Sequence, residues 1–282
     1  STVSVLTRTQ PARVNRLLWH PLCISALNTP PESASAHAFL AVLKGLFGGS
    51  RRDSDFLLPR CDLTTLFPAP AIERILALGN RVLTGTRVRT IEAAAGSITL
   101  RLDENAQTYS HVVVAVAPQH LHALTEYVRE LDTARRQVGS YRYLPIATGY
   151  VQVDPAFRLP QPLLALPGGP AQFVFDRGQS HAQPGLLALV ASAAEPLPED
   201  WLTRAEAQLH GVIDSAPARW RRAIIEKQAT YACVPGLPRP AVRTPHPRLF
   251  LAGDYTEGPY PATLETAVSS GVQSAQALLA SL

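Results

Sequence analysis

The sequence predicts an α/β fold, in which part of a doubly wound parallel sheet is joined to a mixed β-sheet with helices. Two apolar runs, at 111–118 and 249–252, predict buried strands, and the first has the continuous apolar character of a parallel strand covered on both faces. A third observation is the block at 145–194, where short apolar segments alternate with Gly and Pro and predict a further sheet. A hydrophobic content of 46% in 282 residues supports a substantial core.

The remaining elements follow from periodicity and from the residues that end helices and strands. Helical spacing of apolar residues predicts helices at 11–27, 34–47, 70–78, 119–130 and 199–213. Strands are predicted at 97–102, 147–153, 163–166, 171–175, 186–193 and 223–234. Phe173 and Phe175 alternate along one of these strands, so we expect both side chains on the same face.

The last predicted helix begins near Pro261. Its apolar residues follow an i, i+3, i+4, i+7 pattern, which predicts that this face packs on the sheet. The face consists of Leu264, Ala267, Val268, Gly271, Val272, Ala275, Leu278 and Leu279. We interpret Gly271 as a site of close packing against the sheet, since a glycine costs a free helix about 1 kcal/mol.

The turn between the strand at 249–252 and this helix is the strongest indication of a ligand site. Gly253 lets a ligand approach the backbone closely, and Asp254 stands at the carboxyl end of the strand, where open α/β sheets bind ligands. The helix that follows directs its positive end and its free N–H groups toward the same place. A ribityl hydroxyl for Asp254 and an electron-rich flavin oxygen for the helix would satisfy both.

Residues 251–271, LAGDYTEGPYPATLETAVSSG, resemble the C-terminal FAD motif of the flavin amine oxidase and carotenoid desaturase superfamily. Within it, the segment looks like the squalene-associated FAD-dependent desaturases, also described as hydroxysqualene dehydroxylases. Three further stretches resemble the same family: 18–22 with 26–32, the Leu-Leu-Pro-Arg at 57–60, and 168–178. The resemblance therefore extends over nearly the whole chain.

The resemblance implies an FAD-dependent oxidoreductase of squalene and hopanoid biosynthesis that reductively removes the hydroxyl group of hydroxysqualene. It implies that FAD contacts Gly253, Asp254, Thr263 and Leu264. It also implies that the backbone of Val88 hydrogen-bonds the edge of the adenine. Flavin enzymes leave the electron chemistry to the cofactor, so we assign no catalytic residue.

The same resemblance implies an apolar isoprenoid substrate, for which Phe173, Phe175 and Tyr260 are the candidate contacts. Residues 1–69 would then be a helical part of the substrate-binding region and 126–245 a substrate domain. Residues 70–125 and 246–282 would be segments of the FAD-binding domain. These borders follow from the family resemblance.

The chain lacks the G-x-G-x-x-G turn that holds the FAD pyrophosphate in this family. Because it also has no Met and begins at Ser1, we expect a C-terminal portion that holds FAD weakly or not at all. Three alternatives stay open: a carotenoid or phytoene desaturase, an amine oxidase, and a non-catalytic remnant. An amine oxidase is disfavoured because that group often uses a lysine near the flavin, and only Lys44 and Lys227 are present.

The net charge of +4 does not indicate a nucleic-acid partner, because 26 basic residues that include only two lysines suggest a GC-rich genome. The dense cluster at 219–222, Arg-Trp-Arg-Arg, is interpreted as a solvated helix end or as a contact with an anionic membrane surface. Cysteines occur at Cys23, Cys61 and Cys233, without the spacing of a metal site, so we predict no metal site. Their small number and scattered positions are typical of a reducing compartment, so we predict a cytoplasmic location. Peripheral contact with the inner face of the membrane stays open as an alternative. The sequence does not indicate an oligomeric state.

Overall fold

A computed structural model describes residues 1–214 and 217–282 and confirms the α/β fold class. Its helices are α1 (Val3–Leu6), α2 (Ala12–Val14), α3 (His20–Leu27), α4 (Ala36–Phe47), α5 (Leu63–Leu66), α6 (Pro68–Ala77), α7 (Pro118–Leu124), α8 (Asp132–Gly139), α9 (Arg177–His181), α10 (Trp201–His210) and α11 (Leu264–Leu279). Its strands are β1 (Val88–Ala94), β2 (Ser97–Leu102), β3 (Ala106–Tyr109), β4 (Val112–Val114), β5 (Tyr143–Gln152), β6 (Leu163–Ala165), β7 (Phe173–Asp176), β8 (Leu186–Ser192), β9 (Trp220–Tyr231) and β10 (Leu249–Leu251).

The chain divides into two compact units, each built from separate stretches of sequence. The first unit consists of Ser1–Ala34, Leu43–Val82 and Tyr143–Ala232, and the second of Ser35–Val42, Leu83–Arg142 and Cys233–Leu282. The functional labels attached above to 1–69, 70–125, 126–245 and 246–282 stay predictions, because compactness does not identify what a segment binds.

The first unit contains a five-stranded antiparallel sheet with the order β6-β7-β8-β5-β9. One face of this sheet is covered by α10, whose Trp201, Ala205 and Leu209 are buried. These three residues are four positions apart and therefore lie on one side of the helix. They pack in one core cluster with Val174 and Leu189 of the sheet, as the alternating pattern predicts.

The basic cluster at 219–222 does not lie at a helix end, so that part of its interpretation is wrong. Its last three residues are the first three of β9, and Trp220 pairs with Gln152 because the ladder with β5 extends beyond the predicted strand start. Arg219 Nη2 contacts Asp154 Oδ2 at 2.8 Å, and this pair is exposed to solvent. No helix among the described residues is both long and apolar enough to cross a membrane.

The second unit contains a three-stranded antiparallel sheet, β1-β2-β3, and a parallel pair formed by β4 and β10. In the parallel pair Leu249 lies opposite Val112 and Leu251 opposite Val114. The prediction of a parallel strand within 111–118 is confirmed, but the prediction that both of its faces are buried is wrong. Only Val112–Val114 is extended in the ladder, and the side chain of Val113 is 37% exposed, since it borders an open cleft.

Helix α11 begins at Leu264 rather than near Pro261, and it buries a different face from the predicted one. The residues packed inward are Thr266, Ser270, Ser274 and Ala277, whereas Leu264, Val268, Val272 and Leu279 are exposed. The cause is hydrogen bonding to β10 and the residues after it. Ser274 Oγ donates to the carbonyl oxygen of Leu251 at 2.8 Å, and Ser270 Oγ accepts from the N–H of Gly253 at 2.8 Å.

Two smaller predictions also change in the structure. A Cβ atom at Gly271 would meet nothing within 4 Å, so close packing against the sheet does not explain this glycine. The helix predicted at 119–130 ends at Leu124, where the hydroxyl of Thr125 donates to the carbonyl oxygen of Leu121 at 2.7 Å.

Candidate functional site

Gly253, directly after β10, has a backbone conformation that a side chain would not tolerate. Its φ is +153°, and a Cβ atom there would lie 2.4 Å from Cε1 of the Tyr255 ring. Tyr255 is fully buried, so its ring cannot move away without disturbing the core. The glycine predicted to allow a close approach is therefore required first by the packing of the turn itself.

Asp254 lies beside this glycine, at the carboxyl end of the parallel pair, and is partly buried. Burial raises the pKa of its carboxyl group, and the positive charge of Arg239 opposes that shift without cancelling it. A hydrogen-bond donor on a ligand would stabilise this partly desolvated carboxylate. This position suits the sugar-alcohol contact that the family resemblance implies.

Arg239 holds the loop that follows Asp254. Its guanidinium donates to the carbonyl oxygens of Asp254 at 2.8 Å, Gly258 at 3.1 Å and Tyr260 at 2.7 Å. Sequence reasoning missed this residue because it lies in the Pro-rich stretch at 235–247, which carries no recognisable motif. Tyr260, a predicted substrate contact, is thus fixed through its backbone, and its role toward substrate stays a prediction.

The N-terminus of α11 completes this part of the second unit. The side chain of Thr263 is the N-cap and accepts a hydrogen bond from the N–H of Thr266 at 3.2 Å. Leu264 is the first helical residue and is 70% exposed. The N–H groups of Leu264 and Glu265 have no acceptor within the helix and can bind an electron-rich atom. These donors, together with the half-buried carboxylate of Asp254, fit a flavin.

Val88 lies at the start of β1, opposite Leu102, where a bulge interrupts the ladder with β2. It lines a cleft of about 650 Å³ within the second unit, together with residues of β4 and α7. The same strand β4 pairs with β10, which leads into Gly253 and Asp254. The predicted FAD contacts therefore belong to connected elements of one unit, although the contact of Val88 with adenine stays a prediction.

The first unit has a second cleft, of about 330 Å³, on the sheet face opposite α10. Phe173 and Phe175 lie on this face, in register with Val190 and Ala188 of β8, so the prediction that they share a face is confirmed. Phe175 lines the cleft, whereas Phe173 lies beyond its lining. Their contact with substrate stays a prediction.

The other side of this cleft is formed by the segment that contains the Leu-Leu-Pro-Arg motif. Leu58, Pro59, Cys61 and Leu63 contribute to the lining. Sequence reasoning did not connect this motif with the sheet, because almost 90 residues separate them along the chain. None of the described residues that line the cleft is an Asp or a Glu, and Arg177 is their one permanently charged side chain.

Asp176, at the end of β7, stabilises the local structure around this cleft. It is fully buried, and its carboxylate accepts from the N–H groups of Gly178 at 2.8 Å and Leu159 at 3.0 Å. It also accepts from the N–H and the side-chain amide of Gln179. A carboxylate with all these donors is a helix cap and not a proton donor for substrate.

Comparison with solved structures shows that other proteins have a similar fold. An oxidoreductase from Methanosarcina mazei matches with a TM-score of 0.70 and 14% identity, over 98% of this chain and 68% of that one. Cyclohexylamine oxidase from Brevibacterium oxydans matches with a TM-score of 0.62 and 16% identity, over 99% of this chain and 67% of that one. At such identities the likeness concerns the fold alone.

Two curated relatives are more similar in sequence, and both are named hydroxysqualene dehydroxylase. The protein from Rhodopseudomonas palustris is 28% identical over 92% of this chain, and that from Sinorhizobium fredii is 26% identical over 94%. The chain spans only 61% and 62% of their respective lengths. The family model for flavin containing amine oxidoreductases matches residues 68–279, which is most of the chain. The chain therefore belongs to the flavin containing amine oxidoreductase family.

Proposed function

We propose that this protein is an FAD-dependent oxidoreductase that converts hydroxysqualene to squalene. The names of its two curated relatives, which match over more than nine tenths of the chain, support this reaction. Replacing a C–OH bond by a C–H bond takes up a hydride and a proton and releases water. Reduced flavin, when bound, supplies the hydride.

The observation that carries the proposal is the lining of the cleft in the first unit. Phe175, Ala188 and Val190 provide apolar surface, and the lining that the structure describes contains no carboxylate. Its one permanent charge, that of Arg177, is positive. Arg177 would repel an ammonium substrate there, and the substrate would lack a counter-charge. An uncharged polyene, in contrast, has no charge whose desolvation would oppose its burial. The cleft therefore favours an isoprenoid over an amine.

Within the second unit, the chain's own residues would position the flavin. The carboxylate of Asp254 would accept a hydrogen bond from a ribityl hydroxyl, and the first N–H groups of α11 would donate to the electron-rich edge of the ring. Arg239 would keep the loop between them in place through four carbonyl oxygens.

The test uses a version of the protein extended to include the G-x-G-x-x-G turn, with flavin loading verified by its visible absorbance spectrum. It is incubated with hydroxysqualene and a flavin reductant under anaerobic conditions. We expect squalene as the product, identified by mass spectrometry, and the Asp254→Ala variant as a control with reduced flavin loading. A parallel assay offers putrescine and cyclohexylamine in air and measures hydrogen peroxide. Peroxide from the amines without any squalene would overturn the proposal in favour of an amine oxidase.

A further inference from the structure

The cleft of the first unit has a polar corner that the family resemblance did not assign. It is built by α9, a five-residue helix whose N-cap is the buried carboxylate of Asp176. Arg177, Ser180 and His181 stand at positions i, i+3 and i+4 of this helix and therefore lie on one side of it. All three line the cleft.

Arg177 is held at one end of its guanidinium only. Its Nε donates to Oε1 of Gln183 at 2.5 Å, and among the residues that the structure describes its two terminal nitrogens have no acceptor. These nitrogens remain available to an oxygen atom of a ligand in the cleft.

His181 offers a second group to the same space. Its Nδ1 lies 2.8 Å from Oγ of Ser180, and its Nε2 has no hydrogen-bond partner within the described part of the chain. Burial and the nearby charge of Arg177 lower the pKa of His181, and Asp62 opposes this shift more weakly. The imidazole is therefore neutral near pH 7. Ser180 Oγ donates its single hydrogen to the carbonyl oxygen of Asp176 at 3.1 Å, so it accepts from the Nδ1–H of His181. Nε2 then carries no hydrogen and can accept a hydrogen bond from a hydroxyl group.

Apolar surface surrounds this corner. Phe175, Ala188 and Val190 continue from it along the sheet, and Leu58 and Leu63 lie on the other side of the cleft. A ligand that matches this arrangement has an extended apolar body with one oxygen group at a defined position. Hydrocarbons of the same length would leave the donors of Arg177 and the acceptor of His181 unused, which disfavours their binding relative to an alcohol.

We propose that Arg177, Ser180 and His181 form a specificity site that binds the hydroxyl group of an isoprenoid alcohol whose apolar body lies on the Phe175 face of the sheet. The hydroxyl oxygen accepts a hydrogen bond from Arg177, and the hydroxyl hydrogen is donated to Nε2 of His181. Ser180 orients the imidazole through Nδ1 and is a positioning residue. The choice of an isoprenoid rests on the proposed function, but the recognition of a hydroxyl group by this corner does not require turnover.

The experiment measures binding to the purified chain in detergent micelles, without flavin or reductant. The probes are farnesol, the C15 hydrocarbon farnesene and farnesyl diphosphate. One readout is protection of Cys61, which also lines the cleft, from alkylation. The other is the shift of the His181 ring signals in NMR spectra, assigned with the His181→Gln variant.

We expect farnesol to protect Cys61 at about tenfold lower concentration than farnesene and to shift the His181 signals. Ser180→Ala and Arg177→Gln should remove most of this preference and leave farnesene binding unchanged. His122→Gln, at an exposed histidine of the second unit, is the matched control and should behave like the parent. Ser180→Ala retains the helix cap at Asp176, so it separates loss of the hydroxyl contact from loss of folding.

Equal binding of farnesol and farnesene, or an unchanged preference in both variants, would overturn the proposal. Much tighter binding of farnesyl diphosphate than of farnesol would also overturn it, because the corner would then recognise an anion. If the alcohol preference holds but hydroxysqualene is not converted, the proposed reaction fails and the hydroxyl site stands.

Discussion

Arg239 Nη1 donates a hydrogen bond to the carbonyl oxygen of Tyr260 at 2.7 Å and so ties the Pro-rich stretch at 235–247 to the loop after β10. The same side chain holds the carbonyl oxygens of Asp254 and Gly258. The position of the candidate flavin contacts thus depends on an arginine that has no part in any sequence motif. This dependence can be measured.

Replacement of Arg239 by Lys should destabilise the loop although the charge is kept. An ammonium group cannot reach four carbonyl oxygens in the way that the planar guanidinium does, and each partly buried carbonyl left without a donor costs about 1–3 kcal/mol. We expect a lower unfolding midpoint in urea and weaker flavin binding. Arg158→Lys, at an exposed arginine that donates to the nearby carbonyl oxygens of Pro155 and Phe157, is the control. An identical midpoint for Arg239→Lys and the control would contradict this role.

In a version of the protein extended to include the G-x-G-x-x-G turn, replacement of Asp254 by Ala should weaken flavin binding. The expected loss is about 1–3 kcal/mol, which corresponds to roughly 5- to 150-fold, because a hydrogen bond to a half-buried carboxylate is lost. The measurement is a fluorescence titration with FAD, compared with Glu257→Ala on the same loop. Retention of FAD at the affinity of the parent would limit Asp254 to a structural role in the turn.

The raised pKa of Asp254 predicts that its carboxylate, although it favours flavin binding, destabilises the fold. Burial raises this pKa above its unfolded value of 3.8, so the folded chain binds the proton more tightly than the unfolded chain does. The charged carboxyl group therefore destabilises the fold at pH values above its raised pKa, and this penalty is relieved as the pH falls through that value. Asp254→Asn should raise the melting temperature at pH 7, and the difference from the parent should shrink below the raised pKa. A variant that melts lower than the parent at pH 7 would refute this prediction.

Two glycines should respond to alanine in opposite ways. Gly253→Ala places a Cβ atom 2.4 Å from the Tyr255 ring at a positive φ, so we expect a strongly destabilised chain with a disturbed loop. Gly271→Ala meets nothing within 4 Å in the middle of α11 and should stabilise the chain by about 1 kcal/mol. The measurement is the free energy of unfolding of both variants in urea. Loss of stability in Gly271→Ala would show that the helix needs the glycine after all.

The cysteines should differ in reactivity. Burial raises the pKa of the Cys233 thiol to about 11, so near neutral pH its thiolate fraction is about 100-fold below that of an ordinary thiol. Cys23 is fully buried, whereas Cys61 is partly exposed. Iodoacetamide followed by peptide mass spectrometry should therefore label Cys61 first and the other two only after unfolding. Labelling of Cys233 at the rate of Cys61 would contradict the burial of that thiol.

The sequence by itself determined the features that depend on neighbouring residues. Alternation along a strand placed Phe173 and Phe175 on one face, and helical periodicity located α11 to within a few residues. The short apolar run before Gly253 was correctly predicted as a strand for the same reason. In each case the physical cause, a side-chain direction or a backbone preference, acts over fewer than ten residues.

Only the tertiary structure decided which surfaces these elements bury and which side chains meet. The apolar stripe of α11 was predicted to face inward, but it faces outward. Ser270 accepts a hydrogen bond from Gly253 and Ser274 donates one to Leu251, and both bonds hold the opposite side of the helix against the chain around β10. Likewise, Cys61 and His181 line one cleft although 120 positions separate them, and no local pattern encodes that meeting. Hydrogen bonding and packing between distant segments select one arrangement among several that the same periodicity allows, so these features appear only once the chain is folded.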